Sequence, residues 1–181
     1  MVLAISGCKT ANQEDVSNSI SADPRRAGEE RILPLAGRVE GNGQKRILIL
    51  LHGDVGRGGP ADYMYPLINT LSDHDTTAAA ILRPGYYDSY GRKSPGSNFG
   101  RRDHHTRQNN DLVAESIQRL AASAPGAEII AVGHSGGASQ IGTILGRYPG
   151  LIDKAVLVSS PYNLSKWKAQ LGHNEWTASE S

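Results

Sequence analysis

Three features are scarce in this sequence, and each scarcity excludes a class of protein. Cys8 is the single cysteine among 181 residues, which excludes an intrachain disulfide framework and a cysteine-rich zinc site. Neither sign of charge is in excess, because 19 Lys and Arg balance 18 Asp and Glu. The chain therefore lacks the basic surplus with which proteins neutralise the phosphates of a nucleic acid. No apolar run approaches the roughly 20 residues of a membrane span.

The first 31 residues differ in character from the rest of the chain. Residues 9–31 are polar, lack sustained hydrophobic periodicity and are typical of a tether or disordered leader. Ile5-Ser6-Gly7-Cys8 resembles the lipobox of bacterial lipoproteins, and this resemblance implies lipidation of Cys8 and export. A signal peptide also needs a basic region and about 7–15 apolar residues, which residues 1–8 do not contain. The alternative is a frayed terminus of a cytoplasmic protein.

Residues 32–181 are predicted to form one domain in which strands and helices alternate. Apolar runs predict strands at 31–40 (or a short hairpin there), 47–51, 78–82, 128–132 and 154–158. Helical periodicity predicts helices at 61–71, 106–122 and 138–147. The first of these helices would bury Met64, Leu67, Ile68 and Leu71, and Thr106 would help cap the second. Alternating strands and helices indicate a parallel sheet flanked by helices.

A glycine-rich pentapeptide lies between the predicted strand at 128–132 and the helix that follows it. Its sequence is Gly133-His134-Ser135-Gly136-Gly137, the G-x-S-x-G pattern of a nucleophile elbow in the context that such an elbow requires. A sharp turn exposes the Ser135 hydroxyl, and small residues are needed at 133 and 137 because strand and helix nearly collide. The helix N-terminus favours negative charge on a tetrahedral intermediate. The alternative is a glycine-rich turn with an incidental serine.

A second loop of interest follows the predicted strand at 47–51. In folds with a serine elbow, the loop in this place supplies one amide of the oxyanion hole, and the residue after the serine supplies the other. The expected donors are the backbone N–H groups of Asp54 and Gly136. The His52 side chain is expected to be structural, hydrogen-bonded beneath the loop. Residues 55–60 are rich in glycine but lack the Gly-Lys-Ser/Thr ending of a phosphate-binding P-loop.

Together these motifs resemble the α/β-hydrolase-fold serine hydrolases of esterase and peptidase type. The resemblance runs from about residue 32 to the C-terminus and includes residues 83–91, which help shape the pocket in such enzymes. It implies a mostly parallel sheet, Ser135 as nucleophile, a small ester or peptide-like substrate and no cofactor. An acyltransferase would use the same elbow with a different acceptor. The alternative outside enzymology is a non-catalytic, truncated remnant.

The family's triad runs in the order Ser, acid, His, and the last two members are not evident here. His173 is the only histidine after Ser135, and no strand signal precedes it. Asp153 comes before its strand, at the wrong end of the sheet. We therefore expect a chain truncated before the last strands, which carry both partners. The predicted strand at 154–158 would then be an open edge that promotes aggregation.

Asp103-His104-His105 contains residue types that bind metals. Adjacent histidines do not readily point at one ion, and no further ligands lie at a suitable spacing. We therefore expect no metal site. The segment is interpreted as a loop that caps the following helix and lines the rim of the pocket.

Overall fold

The computed structural model describes residues 33–37, 44–97, 105–161 and 163–170. The predictions for the leader at 1–31, for Cys8, for Asp103 and His104, and for His173 lie outside these ranges. In the described part of the chain, no helix combines the length and the apolar character that crossing a membrane requires.

Within these ranges, strands and helices alternate along most of the chain. The strands are β1 (Leu35–Ala36), β2 (Arg46–Leu51), β3 (Thr76–Ile81), β4 (Glu128–His134) and β5 (Lys154–Val158). The helices are α1 (Pro66–Leu71), α2 (Arg107–Ser123), α3 (Gly136–Arg147) and α4 (Leu164–Gln170). The sheet has the order β1-β3-β2-β4-β5, with β1 antiparallel to β3 and every other pair parallel. The predicted fold class, a mostly parallel sheet flanked by helices, is confirmed.

The core lies on both faces of the central strands. On one face, Ile47, Ile49 and Leu51 of β2 pack with buried residues of α2 and α3. On the other face, Leu50 packs with Met64 and Ile68 around α1. Alternate residues of β2 thus enter opposite layers, which explains why the strand is apolar from Ile47 to Leu51.

The first helix is shorter than the sequence predicts. Helix α1 begins at Pro66, whereas residues 61–65 form turns that are hydrogen-bonded to the loop after β3. The amide of Ala61 donates to the Tyr87 carbonyl at 2.9 Å, and Asp62 accepts from Ser89. These long-range bonds override the helical periodicity of the segment. Leu67 lies within α1 and is 42% exposed, whereas Met64 and Ile68 are buried, so its predicted place in the core is wrong.

Two local predictions at element ends are confirmed. The Thr106 hydroxyl accepts from the Asn109 amide at 3.2 Å and caps α2. Asp153 lies at the amino end of β5, where its carboxylate accepts from the Ile129 amide at 2.7 Å. Since catalytic groups of parallel sheets gather at the carboxyl ends of strands, Asp153 is remote from Ser135.

Strand β5 forms one edge of the described sheet. Only Leu157 of this strand is partly buried, against the core beneath α3, whereas Val156 and Val158 on the opposite face are 50% and 44% exposed. The two valines therefore leave an apolar stripe on the opposite face of the sheet. An exposed apolar edge is a template for pairing with another chain.

We expect lysine at both positions, Val156→Lys with Val158→Lys, to suppress aggregation, because edge lysines oppose pairing between chains. The free energy of unfolding should change by less than about 1 kcal/mol, since both side chains are exposed. Leu157→Lys is the matched control and should lower that free energy by about 2–4 kcal/mol, because it buries a charge against the core. Light scattering and urea unfolding measure the two effects. Unchanged aggregation in the double variant would contradict the assignment of this edge.

Candidate active site

Ser135 occupies the turn between β4 and α3 in a backbone conformation that serine rarely adopts. Its φ is 51° and its ψ is −118°, outside the regions that side chains other than glycine favour. The Ser135 amide donates to the Val158 carbonyl at 2.8 Å, which fixes the turn to the neighbouring strand. The hydroxyl has no hydrogen-bond partner among the described residues. The sharp turn predicted from the glycine pattern is present, with the serine at its tip.

The glycines around Ser135 permit a close approach of backbone segments. A Cβ atom on Gly133 would lie 2.6 Å from the Cα atom of Ala138. One on Gly137 would overlap the carbonyl oxygens of Leu51 and His52. These are the two collisions that the sequence pattern predicts between strand, loop and helix. Glycine at 133 and 137 is therefore a steric requirement of this turn.

The loop at residues 52–54 lies against the serine turn. It is called here the oxyanion loop, after the role that the sequence analysis predicts for it. A Cβ atom on Gly53 would lie 3.0 Å from the Ser135 Cβ, and one on Gly136 would lie 2.5 Å from Asp54 Oδ1. The two residues expected to donate backbone N–H groups, Asp54 and Gly136, are thus neighbours. Gly136 is the first residue of α3, where backbone amides have no acceptor within the helix and the helix dipole is positive.

The His52 side chain is structural, as the sequence analysis expected. It is 2% exposed, and its Nε2 atom accepts from the Arg83 amide at 2.9 Å. Its Nδ1 atom lies 2.8 Å from the Gly53 carbonyl oxygen. An accepting Nε2 leaves the proton on Nδ1, which donates to that carbonyl. Both ring nitrogens are engaged, so His52 is not placed to take a proton from Ser135.

Arg83 belongs to the loop at 83–91, which the sequence analysis assigns to the pocket, but the role of its side chain was missed. Its side chain is 1% exposed, although it belongs to a loop rich in cationic residues. Nη1 donates to Asp54 Oδ1 at 2.8 Å and to the His52 carbonyl at 3.2 Å, and Nε donates to Gln140 Oε1 at 2.6 Å. Two signals in the sequence pointed to Arg83: its place in the loop at 83–91, and its position close behind a fully buried strand.

Tyr63 was also missed, because it was assigned to a helix. Its hydroxyl accepts from the Gly53 amide and lies 2.7 Å from His134 Nδ1. The hydroxyl oxygen has two acceptor lone pairs, so the donor in the Tyr63–His134 bond is set by the tautomer of the His134 ring. Burial raises the pKa of Tyr63 above its ordinary value, although the bond from Gly53 acts in the opposite direction. Tyr63 thus joins the oxyanion loop to the residue before the serine.

Tyr86 completes the polar cluster beneath the oxyanion loop. The ring is 4% exposed and packs edge-on against His52 with 4.8 Å between centroids. Its hydroxyl donates to Asp54 Oδ1 at 3.0 Å. Burial raises the pKa of Tyr86 well above its ordinary value; the neighbouring Asp54 charge acts in the same direction and Arg83 in the opposite one.

This pKa shift predicts a loss of stability in alkali. Because the folded state holds the Tyr86 pKa above the unfolded value of about 10, the stabilisation is complete below that pH and is lost as the pH rises. Between pH 9 and 11 the free energy of unfolding should fall by about 1.4 kcal/mol more in the parent than in Tyr86→Phe. Urea unfolding at both pH values measures the difference. Tyr87→Phe, at a ring that is 48% exposed, is the control and should keep the parent's slope. Equal slopes for all three proteins would contradict the prediction.

In the described ranges, no three His, Cys, Asp or Glu side chains are grouped so that they could hold a metal ion. Asp103 and His104 lie outside those ranges.

The strand order and the serine turn together describe an α/β-hydrolase-like fold. No family model matches the chain, and no curated protein matches it. Among solved structures, the chain is similar to an iodinated complex of acetyl xylan esterase, with a TM-score of 0.42 and 17% sequence identity. The similarity covers 65% of this chain and 64% of the esterase chain, so it spans less than two thirds of that protein's length.

Proposed function

We propose that the protein is a serine hydrolase that cleaves a small ester or amide substrate through an acyl-enzyme on Ser135. The observation that carries the proposal is the conformation of Ser135. Its φ of 51° places a serine at the tip of a strand-to-helix turn, at the N-terminus of α3. Strained backbone of this kind persists where the surrounding structure over-determines it, and it clusters at active sites.

In this mechanism a histidine takes the Ser135 proton as the hydroxyl oxygen attacks the substrate carbonyl carbon. The N–H groups of Asp54 and Gly136 donate to the oxygen of the tetrahedral intermediate. The leaving group departs with a proton from the histidine, and water then cleaves the acyl-enzyme to release the acid. Each step needs negative charge stabilised beside the N-terminus of α3.

The histidine is proposed to lie outside the described residues. His52 uses both ring nitrogens, and His134 Nδ1 is bonded to Tyr63. The triad acid is likewise proposed to lie outside the described residues. Residues 32–181 are accordingly proposed to be part of a hydrolase domain, preceded by a leader at 1–31.

Trapping of the acyl-enzyme tests the proposal. The protein extended in frame through an acid- and histidine-bearing segment, called here the extended form, is quenched during turnover of p-nitrophenyl acetate. Mass spectrometry should find acetyl on the peptide that contains Ser135, and Ser135→Ala should lack it. Ser159→Ala, at an exposed serine on the end of the neighbouring strand, is the control and should retain the acetyl group. Acetylation that persists in Ser135→Ala would contradict the proposal. Transfer of the acetyl group to added glycerol, with little free acetate, would indicate an acyltransferase.

A further inference from the structure

One buried cation connects the two halves of the candidate site. Arg83 donates through Nη1 to His52 and Asp54 of the oxyanion loop and through Nε to Gln140 of α3, the helix that begins at the serine turn. The Arg83 amide also bonds the His52 ring. Gln140 is itself fully buried and donates to Asn110 of α2 at 3.0 Å. One guanidinium group therefore bridges the oxyanion loop and helix α3.

The Arg83 guanidinium also lies beside the Asp54 carboxylate, and the position of that negative charge is unfavourable for catalysis. A Cβ atom on Gly136 would lie 2.5 Å from Asp54 Oδ1 and 3.0 Å from Arg83 Nη1. Asp54 thus brings a negative charge next to the amide that is proposed to bind a developing oxyanion. Two like charges about 5 Å apart, at an effective dielectric constant of about 20, slow such a step by about 10²-fold. Arg83 cancels that charge at 2.8 Å.

We propose that Arg83 is a positioning residue for the reaction at Ser135. It holds the oxyanion loop on α3. It also neutralises the Asp54 carboxylate, so that the loop's amide can donate to an oxyanion without repulsion from that carboxylate. This inference rests on the proposed function. It adds an electrostatic role to a residue that does not touch the reacting atoms.

The chain contains a matched pair that serves as a control. Arg92 Nε donates to Asp88 Oδ2 at 2.7 Å, and the Tyr65 hydroxyl donates to the same carboxylate at 3.1 Å. In the candidate site, an arginine and a tyrosine likewise donate to one carboxylate: Arg83 and the Tyr86 hydroxyl both donate to Asp54. Asp88 is 1% exposed, so Arg92→Met leaves a buried carboxylate without its cation. The pairs differ in two respects: only Arg83 bonds the oxyanion loop, and the exposures are reversed. The side chains of Arg83 and Asp54 are 1% and 27% exposed, whereas those of Arg92 and Asp88 are 30% and 0% exposed.

The test measures the second-order rate constant for fluorophosphonate labelling of Ser135 in the extended form, per folded molecule as determined by urea unfolding. Arg83→Met should lower the constant by about 10²-fold. Arg83→Lys keeps the charge and should remain within about tenfold of the parent. Adding Asp54→Asn to Arg83→Met should raise the labelling rate constant again by at least about tenfold, because it removes the uncompensated charge of Asp54. Arg92→Met should lower stability and leave the rate per folded molecule unchanged.

A merely structural role for Arg83 makes different predictions. The double variant would then label no faster than Arg83→Met, and that result would overturn the inference. An equal loss of rate in Arg92→Met would also overturn it. Should Arg83→Met not fold, Asp54→Asn alone decides: removal of the negative charge should raise the rate, and a fall would overturn the inference. A parent that labels at Ser135 with no change in Arg83→Met would remove this inference alone. A parent that does not label at Ser135 would remove the proposed function and this inference with it.

Discussion

Fluorophosphonate should place one phosphonyl group on Ser135 in the extended form and none in Ser135→Ala. The probe reacts with a serine whose proton is removed by a base and whose oxyanion is stabilised, and the proposed site supplies both. Loss of the nucleophile removes the reaction entirely, which is the largest effect expected for any single substitution in this chain. In-gel fluorescence with peptide mapping identifies the modified residue.

The 181-residue chain by itself should not label at Ser135. His52 uses both ring nitrogens and His134 Nδ1 is bonded to Tyr63, and a triad without its base retains only the contributions of binding and the oxyanion hole. Rapid, stoichiometric labelling of this chain would contradict the expectation. His173, or His104, would then be the base to test by substitution.

Gly137→Ala should prevent the chain from folding. The added methyl group would overlap two carbonyl oxygens, of Leu51 and His52, which belong to backbone and cannot rotate away. Relief requires that α3 move off the sheet, and the free energy of unfolding should fall by more than about 4 kcal/mol. Far-UV circular dichroism and urea unfolding measure the loss.

Gly146→Ala provides a matched control on the same helix. A Cβ atom there meets nothing within 4 Å, and the backbone is helical. Alanine should therefore raise the free energy of unfolding by about 0.5–1 kcal/mol through helix propensity. A Gly137→Ala protein as stable as Gly146→Ala would mean that the serine turn is more open than described.

The local geometry of the candidate site could be read from the sequence because short spacings determine it. Gly133 and Gly137 lie two residues from Ser135, and the predicted strand and helix on either side supply the context, so the pentapeptide predicts the sharp turn at Ser135. The close approach of Gly137 to the Leu51 and His52 carbonyls is a long-range contact that the structure adds. The Thr106 cap and the buried strand β2 follow from equally local rules. The partners of Ser135 in catalysis were not evident in the same way, and their assignment stays a proposal.

Tertiary structure alone decided which polar groups surround that turn. Arg83 and Asp54 are 29 positions apart, and Tyr63 and His134 are 71 apart. No periodicity or motif relates such pairs, since they meet only after parallel strands bring their carboxyl ends to one edge of the sheet. The length of α1 depended on tertiary contacts in the same way, because Ala61 and Asp62 are bonded to a distant loop. The sequence by itself determined the fold class and the serine turn, whose causes lie within a few residues. The charge balance beneath the oxyanion loop required the folded chain, because electrostatic interactions depend on distance in space.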